Sequence, residues 1–191
     1  VAWSAPFTAI AGTVWTAAQF NTFVRDNLNE TMPAKAVTAG DYFVTESVNQ
    51  IGTRTPQRAV ADNGTDYETT TSTSYDDMES GPAGTTALDG PAITCTTGRM
   101  AIVSVGAQLG VTTNAGASCR MSWEVSGESS IGATDQRAVG KVGGTSDTVV
   151  IGTYVSLHTN LTPGVNTFTA KYRVSSGTGS FRYRRMWVLP L

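Results

Sequence analysis

Charge is scarce in this chain. Asp, Glu, Lys and Arg make up only 15% of the 191 residues, and Lys occurs three times, at Lys35, Lys141 and Lys171. Ordinary soluble domains carry about 25%. Such depletion suits surfaces that other subunits cover. Histidine occurs once, His158, so a histidine-based triad would have to use it, and no nucleophile-elbow pattern surrounds any serine. The two cysteines, Cys95 and Cys119, lie far apart and lack CxxC spacing. They supply no local ligand pair for zinc and read as buried free thiols, although two cysteines alone leave a disulfide between neighbouring strands open. No apolar run of about 18 residues is present, so a membrane-spanning helix is not expected. A basic stretch followed by an apolar one is also missing at the N-terminus, so no secretory leader is expected. The net charge is −2, which gives no basis for nucleic-acid binding.

What the chain does have is alternation. In 166–174, Phe168, Ala170, Tyr172 and Val174 share one side of an extended chain, and Thr167, Thr169, Lys171 and Arg173 share the other. This is the pattern of a strand with one dry face. Pro163-Gly164 and Ser175 to Gly179 bracket it with turn chemistry. A further apolar run, Phe181 to Leu191, comes next, and the two together predict a β-hairpin as the spine of the domain. Val103, Val105, Ala107 and Leu109 alternate in one earlier strand, and Cys119, Met121, Trp123 and Val125 in another. Val149, Ile151, Thr153, Val155 and Leu157 make a third long strand. Seven to nine strands with Gly, Asn and Ser turns and no intervening helix predict a mainly β chain. Its C-terminal part should be a jelly-roll-like antiparallel β-sandwich.

The front of the chain differs. Residues 1–15 carry Trp3, Phe7, Ile10 and Trp15 among small residues with no period, which predicts an extended N-terminal arm with large apolar knobs. Thr16 and Gln19 fit a capping box. Phe20, Phe23, Val24 and Leu28 then recur at helical spacing. One short α-helix is therefore expected over about 17–30, stopping before Pro33. Three turns are too few to be stable alone, so the helix must dock on something. The expected organisation is arm and helix over 1–30, a linker with a small hairpin over 31–66, and the sandwich over 67–191. Trp3, Phe7, Trp15, Phe20, Phe23, Val24 and Leu28 are the expected anchor residues.

Signals for chemistry are weak. Asp76, Asp77 and Glu79 border a Gly-rich loop, where acids are usually solvated. Their spacing predicts neither a glycosidase pair nor a calcium loop, and that of Asp62 and Asp66 predicts no calcium loop either. Arg182, Arg184 and Arg185, with Tyr183 and Trp187, are the most basic stretch. At regular strand spacing Arg182 and Arg184 would share a face with Met186 and Val188, and Phe181, Tyr183 and Trp187 would take the other. The three arginines are read as a subunit contact. No catalytic, cofactor-binding or metal-binding residue is assigned, and the protein is expected not to be an enzyme.

Ala11 to Leu28 resembles the N-terminal signature of a group of tailed-bacteriophage virion proteins. In that group a Trp-rich lead and a G-x-x-x-T-A-A-x-x-N turn precede a helix ending R-D-N-L. The matching residues are Gly12, Thr16, Ala17, Ala18, Asn21 and Arg25 to Leu28. The linker from Pro33 to Pro56 is similar to the same proteins, as are Gly81-Pro82, Thr97-Gly98, Asn166 to Val174 and the closing Arg185 to Leu191. The resemblance implies a non-enzymatic virion protein of minor-tail or tail-fibre type, made in the bacterial host cytoplasm and carried on the particle surface. A capsid decoration protein or head fibre is the alternative, and a host-glycan depolymerase is the third. Implied partners are the chain itself, as a homotrimer, other tail or capsid proteins, and a host surface receptor or glycan; neither nucleic acid nor membrane is implied.

Overall fold

The computed structural model describes residues 4–5, 7–8, 10–31, 35–61, 67–81, 89–112, 116–142 and 149–191. The chain divides into two compact units, Val1–Pro56 and Gln57–Leu191.

The first unit opens its helix with the expected capping box. The Thr16 hydroxyl accepts from the Gln19 backbone N–H at 3.2 Å, and the Gln19 side chain accepts from the Thr16 N–H at 2.9 Å. Together these satisfy two donors that a helix start leaves unpaired. The helix is not uniform. It runs as α1 (Ala17–Phe20), a π-helical turn (Asn21–Arg25) and α2 (Asp26–Asn29). The arm is not fully extended away from it, because Ser4 bonds back to Asn27 and Phe7 stacks on Phe23. Downstream, β1 (Tyr42–Ser47) and β2 (Gln50–Arg54) form an antiparallel hairpin. Its turn places Asn49 at φ +57°, a left-handed conformation that Asn tolerates.

The second unit holds nine strands: β3 (Gln57–Ala61), β4 (Glu68–Thr70), β5 (Ala92–Thr97), β6 (Ala101–Thr112), β7 (Ser118–Gly127), β8 (Val139–Val142), β9 (Val150–His158), β10 (Gly164–Val174) and β11 (Thr178–Pro190). One sheet has the order β5-β10-β7-β8. The other has the order β3-β11-β6-β9, with β4 beside β3 on the same edge of β11. All pairings are antiparallel. From β5 to β11 every connection except β7–β8 passes from one sheet to the other, which is the winding of a jelly roll. The β unit begins at Gln57, because β3 pairs along β11.

The core lies between the two sheets. Phe168, Ala170, Tyr172 and Val174 of β10 are fully buried there. So are Met121 and Trp123 of β7, Val103, Val105 and Leu109 of β6, and Phe181 and Val188 of β11. Alternation in sequence thus identified the dry faces.

It did not identify partners. β10 and β11 are not a hairpin: β10 pairs with β5 and β7, while β11 pairs with β3, β4 and β6. The segment between them carries the chain across the gap between sheets, about 10 Å in a sandwich. Ser175 anchors this crossing, donating its N–H to Ser118 O at 2.8 Å and accepting the Ser118 N–H on Oγ at 2.8 Å. Gly179, just beyond, sits in a spot with no room for a side chain. A Cβ there would stand 2.5 Å from Val174 Cγ1 and 3.1 Å from Cys119 Cβ. Two strands with dry inner faces look alike in sequence whether they lie side by side or face to face.

Candidate functional site

In the N-terminal unit the expected anchor residues gather only in part. Phe7 lies edge-on to Trp15 with ring centroids 5.3 Å apart, and stacks on Phe23 at 5.5 Å. Asn27 holds the arm to the helix. Its Oδ1 accepts from Ser4 N at 2.8 Å, and its Nδ2 donates to Ser4 O at 3.2 Å and to Phe23 O at 3.1 Å. Phe7, Phe23 and Val24 are half-buried. Phe20 and Leu28 remain 52% and 59% exposed, and Trp15 is exposed as well. The predicted single stripe is therefore split. The π-helical turn widens the helix between Phe20 and Leu28 and rotates the turn after it relative to the turn before it. Trp3 lies outside the described residues. Among the described residues of this unit only Asn27 and Glu30 are buried, and no apolar side chain is.

The second surface is the outer face of the β3-β11-β6-β9 sheet. Sheet register sets out its rows. Leu157, Ile102 and Leu189 lie side by side across β9, β6 and β11. The next row is Val155, Ser104, Trp187 and Arg58, and the one after it Thr153, Gly106, Arg185 and Val60. The apolar stripe of β9 belongs to this face, not to the core: Ile151 is 78% exposed, and Val155 and Leu157 are exposed too. Small residues of β6 between larger ones on β9 and β11 leave a groove of about 390 Å³, lined by Ser104, Gly106, Gln108, Ile151, Thr153, Tyr183, Arg185 and Trp187.

A bulge in β11 shapes the groove. Arg182 pairs with Gln108 and Arg185 with Gly106, so Tyr183 and Arg184 together stand opposite one residue, Ala107. Tyr183 takes φ +53°, unusual for an aromatic residue. The extra residue turns Arg184 inward and Arg185 outward. This corrects the facing read from regular spacing. Arg184 shares the inner face with Phe181, Met186 and Val188, while Arg182 lies outward. Arg184 is therefore not a subunit contact. It is fully buried, with Nη2 at 2.5 Å from Glu68 Oε2 and Nη1 at 3.3 Å from both Tyr172 Oη and Gly90 O. Tyr172 in turn donates to Gly90 O. No turn residue in the sequence marks this bulge. Arg182 stands 4.3 Å from the Tyr183 ring centre and 5.1 Å from that of Tyr67, and it donates to Tyr183 Oη at 2.7 Å.

The residues weighed for catalysis serve structure. His158 is buried and accepts the Trp123 indole N–H on Nε2 at 2.9 Å. Burial holds its pKa below the ordinary value, and Arg137 adds to the effect. Asp76 caps the Asp77 N–H at 2.9 Å, and Glu79 accepts from the Thr71 N–H at 2.6 Å. Asp77 and Glu124 flank Lys171 at 2.9 and 3.3 Å; burial lowers the lysine pKa, but the two acids outweigh it and the net shift is upward. Asp62 and Asp66 lie outside the described residues. Among the described residues no group of three or more His, Cys, Asp or Glu is placed to hold a metal ion. Cys95 and Cys119 are free thiols, and burial pushes Cys119 up to about 11. No helix among the described residues is long and apolar enough to cross a membrane.

No protein-family model matches the chain, and no curated protein sequence matches it. Among solved structures, the chain is similar to one of infectious bursal disease virus, Gx strain, at 11% identity and TM-score 0.40, covering 76% of this chain and 36% of that one. The VP2 subviral particle of the same virus gives 10% identity and TM-score 0.39 over 76% of this chain and 36% of that one. Eiger TNF from S. frugiperda gives 11% identity and TM-score 0.43 over 72% of this chain and 94% of that one. The chain thus spans about a third of the length of the viral chains it matches. Overlaps this loose assign no function.

Proposed function

We propose that this chain is a non-enzymatic structural protein of a tailed-bacteriophage virion, of minor-tail or tail-fibre type. Its N-terminal unit seats in the particle and its jelly roll is displayed outward. The observation that carries this reading is the N-terminal unit's failure to bury any apolar side chain among its described residues, although Phe20, Leu28, Trp15, Ile10 and Val14 all belong to it. Isolated exposed apolar residues are ordinary; a whole unit without an apolar interior calls for a partner surface. The resemblance of Gly12 to Leu28 to phage virion proteins points the same way, and a homotrimer on the particle fits the low charge. The acids and the histidine that an enzyme would need are engaged in capping, ion pairing and core hydrogen bonds, which favours a non-enzymatic role.

Phe20→Asp and Leu28→Asp test the anchor, because both side chains are exposed and neither change disturbs the sandwich core. In phage lacking the native copy and complemented with the variants, incorporation into purified virions is expected to fall at least about tenfold, since each change removes roughly 1.5–3 kcal/mol of apolar burial at the contact. Normal loading of both variants would overturn the reading. Copy number on wild-type virions separates a tail component, with few copies, from a head decoration protein, with many.

A further inference from the structure

We infer that the groove on the outer face of the β3-β11-β6-β9 sheet binds an acidic saccharide, with a sugar ring against Trp187 and its carboxylate on Arg185. Three observations lead there. First, the groove joins an aromatic surface to polar edges. Trp187 is 39% exposed on one wall, Tyr183 stands beside it, and the Gln108 amide and Thr153 hydroxyl open onto the same space. A pyranose ring needs this combination, since its C–H faces are apolar and its rim is hydroxylated. A volume of about 390 Å³ lies in the range of small-ligand sites.

Second, the face carries one sign of charge. The only acid in the five strands of this sheet is Glu68, which points into the core. Arg58, Arg182 and Arg185 stand outward, and among the described residues no ion pair engages Arg58 or Arg185. A planar guanidinium is suited to grip a carboxylate through two parallel hydrogen bonds. Two copies packed through this face about a twofold axis would instead bring arginines together. A polynucleotide would call for a longer basic track, on a chain whose net charge is −2.

Third, the bulge builds the site. Tyr183 is held at φ +53°, and the register slip is what brings Arg185 to the outer face beside Trp187. Bulges commonly re-aim side chains next to functional sites, and strained non-glycine backbone concentrates there. The sandwich-end turns expected to bear aromatics hold almost none, whereas the sheet face does.

The inference rests on the proposed outward display of the jelly roll. Binding is read on the purified full chain in solution, so a silent groove and a failed anchor are separate results. The chain is applied to an array of uronate-, sialate- and pyruvate-bearing glycans with neutral counterparts, together with a ten-residue oligothymidylate. Retained glycans are then titrated by monitoring tryptophan fluorescence. At least one acidic glycan is expected to bind about tenfold more tightly than its neutral counterpart. Arg185→Gln, at an exposed position, should erase that preference, and Trp187→Ala should weaken acidic and neutral ligands alike by about tenfold. Four results would each overturn the inference: no acidic glycan retained above neutral ones, a preference that survives Arg185→Gln, tighter retention of oligothymidylate, or self-association that is lost in Arg185→Gln.

Discussion

Arg184 and Glu68 form an ion pair of 2.5 Å inside the sandwich, each 1% exposed. It joins β11 to the short strand β4 beside it, and Tyr172 of the opposite sheet completes the cluster from below. Burying two charges is costly, and their attraction offsets the cost only while both are present. Glu68→Gln or Arg184→Met alone is expected to lower the unfolding free energy by about 3–5 kcal/mol. The double variant Glu68→Met with Arg184→Met should lose much less than the sum. Urea unfolding of the four proteins measures the coupling, and additive losses would show that the pair does not act as a unit.

His158 gives the sandwich a pH dependence. Its Nε2 accepts the Trp123 N–H and must be unprotonated to do so. Burial keeps its folded pKa below the ordinary 6.5. As pH falls, the unfolded chain takes up this proton first, so stability is full above about pH 6.5 and is lost as pH drops through the unfolded value toward the folded one. Unfolding free energy should therefore fall between pH 7 and 5. His158→Gln keeps an acceptor that does not titrate and should flatten the slope over that interval. An unchanged slope would assign it to other groups.

Gly179 reports on the crossing between sheets. Gly179→Ala places a methyl against Val174 and Cys119 at distances that packed atoms do not adopt. Overpacking of this kind costs about 1–3 kcal/mol. Pairing of Gly179→Ala with Val174→Ala should restore part of the loss by giving the methyl room, and the four unfolding curves would reveal it. If β10 and β11 were instead neighbours in one sheet, the two positions would not be coupled in this way.

Much of this could be read in the residues. Val103 to Leu109, Cys119 to Val125 and Phe168 to Val174 alternate cleanly, and each dry face is where the sandwich is packed. The capping box at Thr16 and Gln19 formed as its side-chain chemistry required. The alternation of β9 was equally clear, yet its apolar side faces outward. β9 is an edge strand whose inner positions, Gly152, Tyr154 and Ser156, meet the rim of the core. The same hydrophobic signal therefore marks a binding face there.

The sequence by itself determined that this is a mainly β chain with a short capped helix at its front, because strand and helix periodicities and turn residues are local properties. Only the tertiary structure decided that β10 and β11 belong to opposite sheets. It also decided that Tyr183 and Arg184 share one place in the ladder, so that Arg184 is buried on Glu68 while Arg185 faces the groove, and that a π-helical turn parts Phe20 from Phe23. Those outcomes depend on which strand claims each backbone edge and where one residue is left over. Such choices are made by contacts between segments far apart in the chain, and no local pattern encodes them.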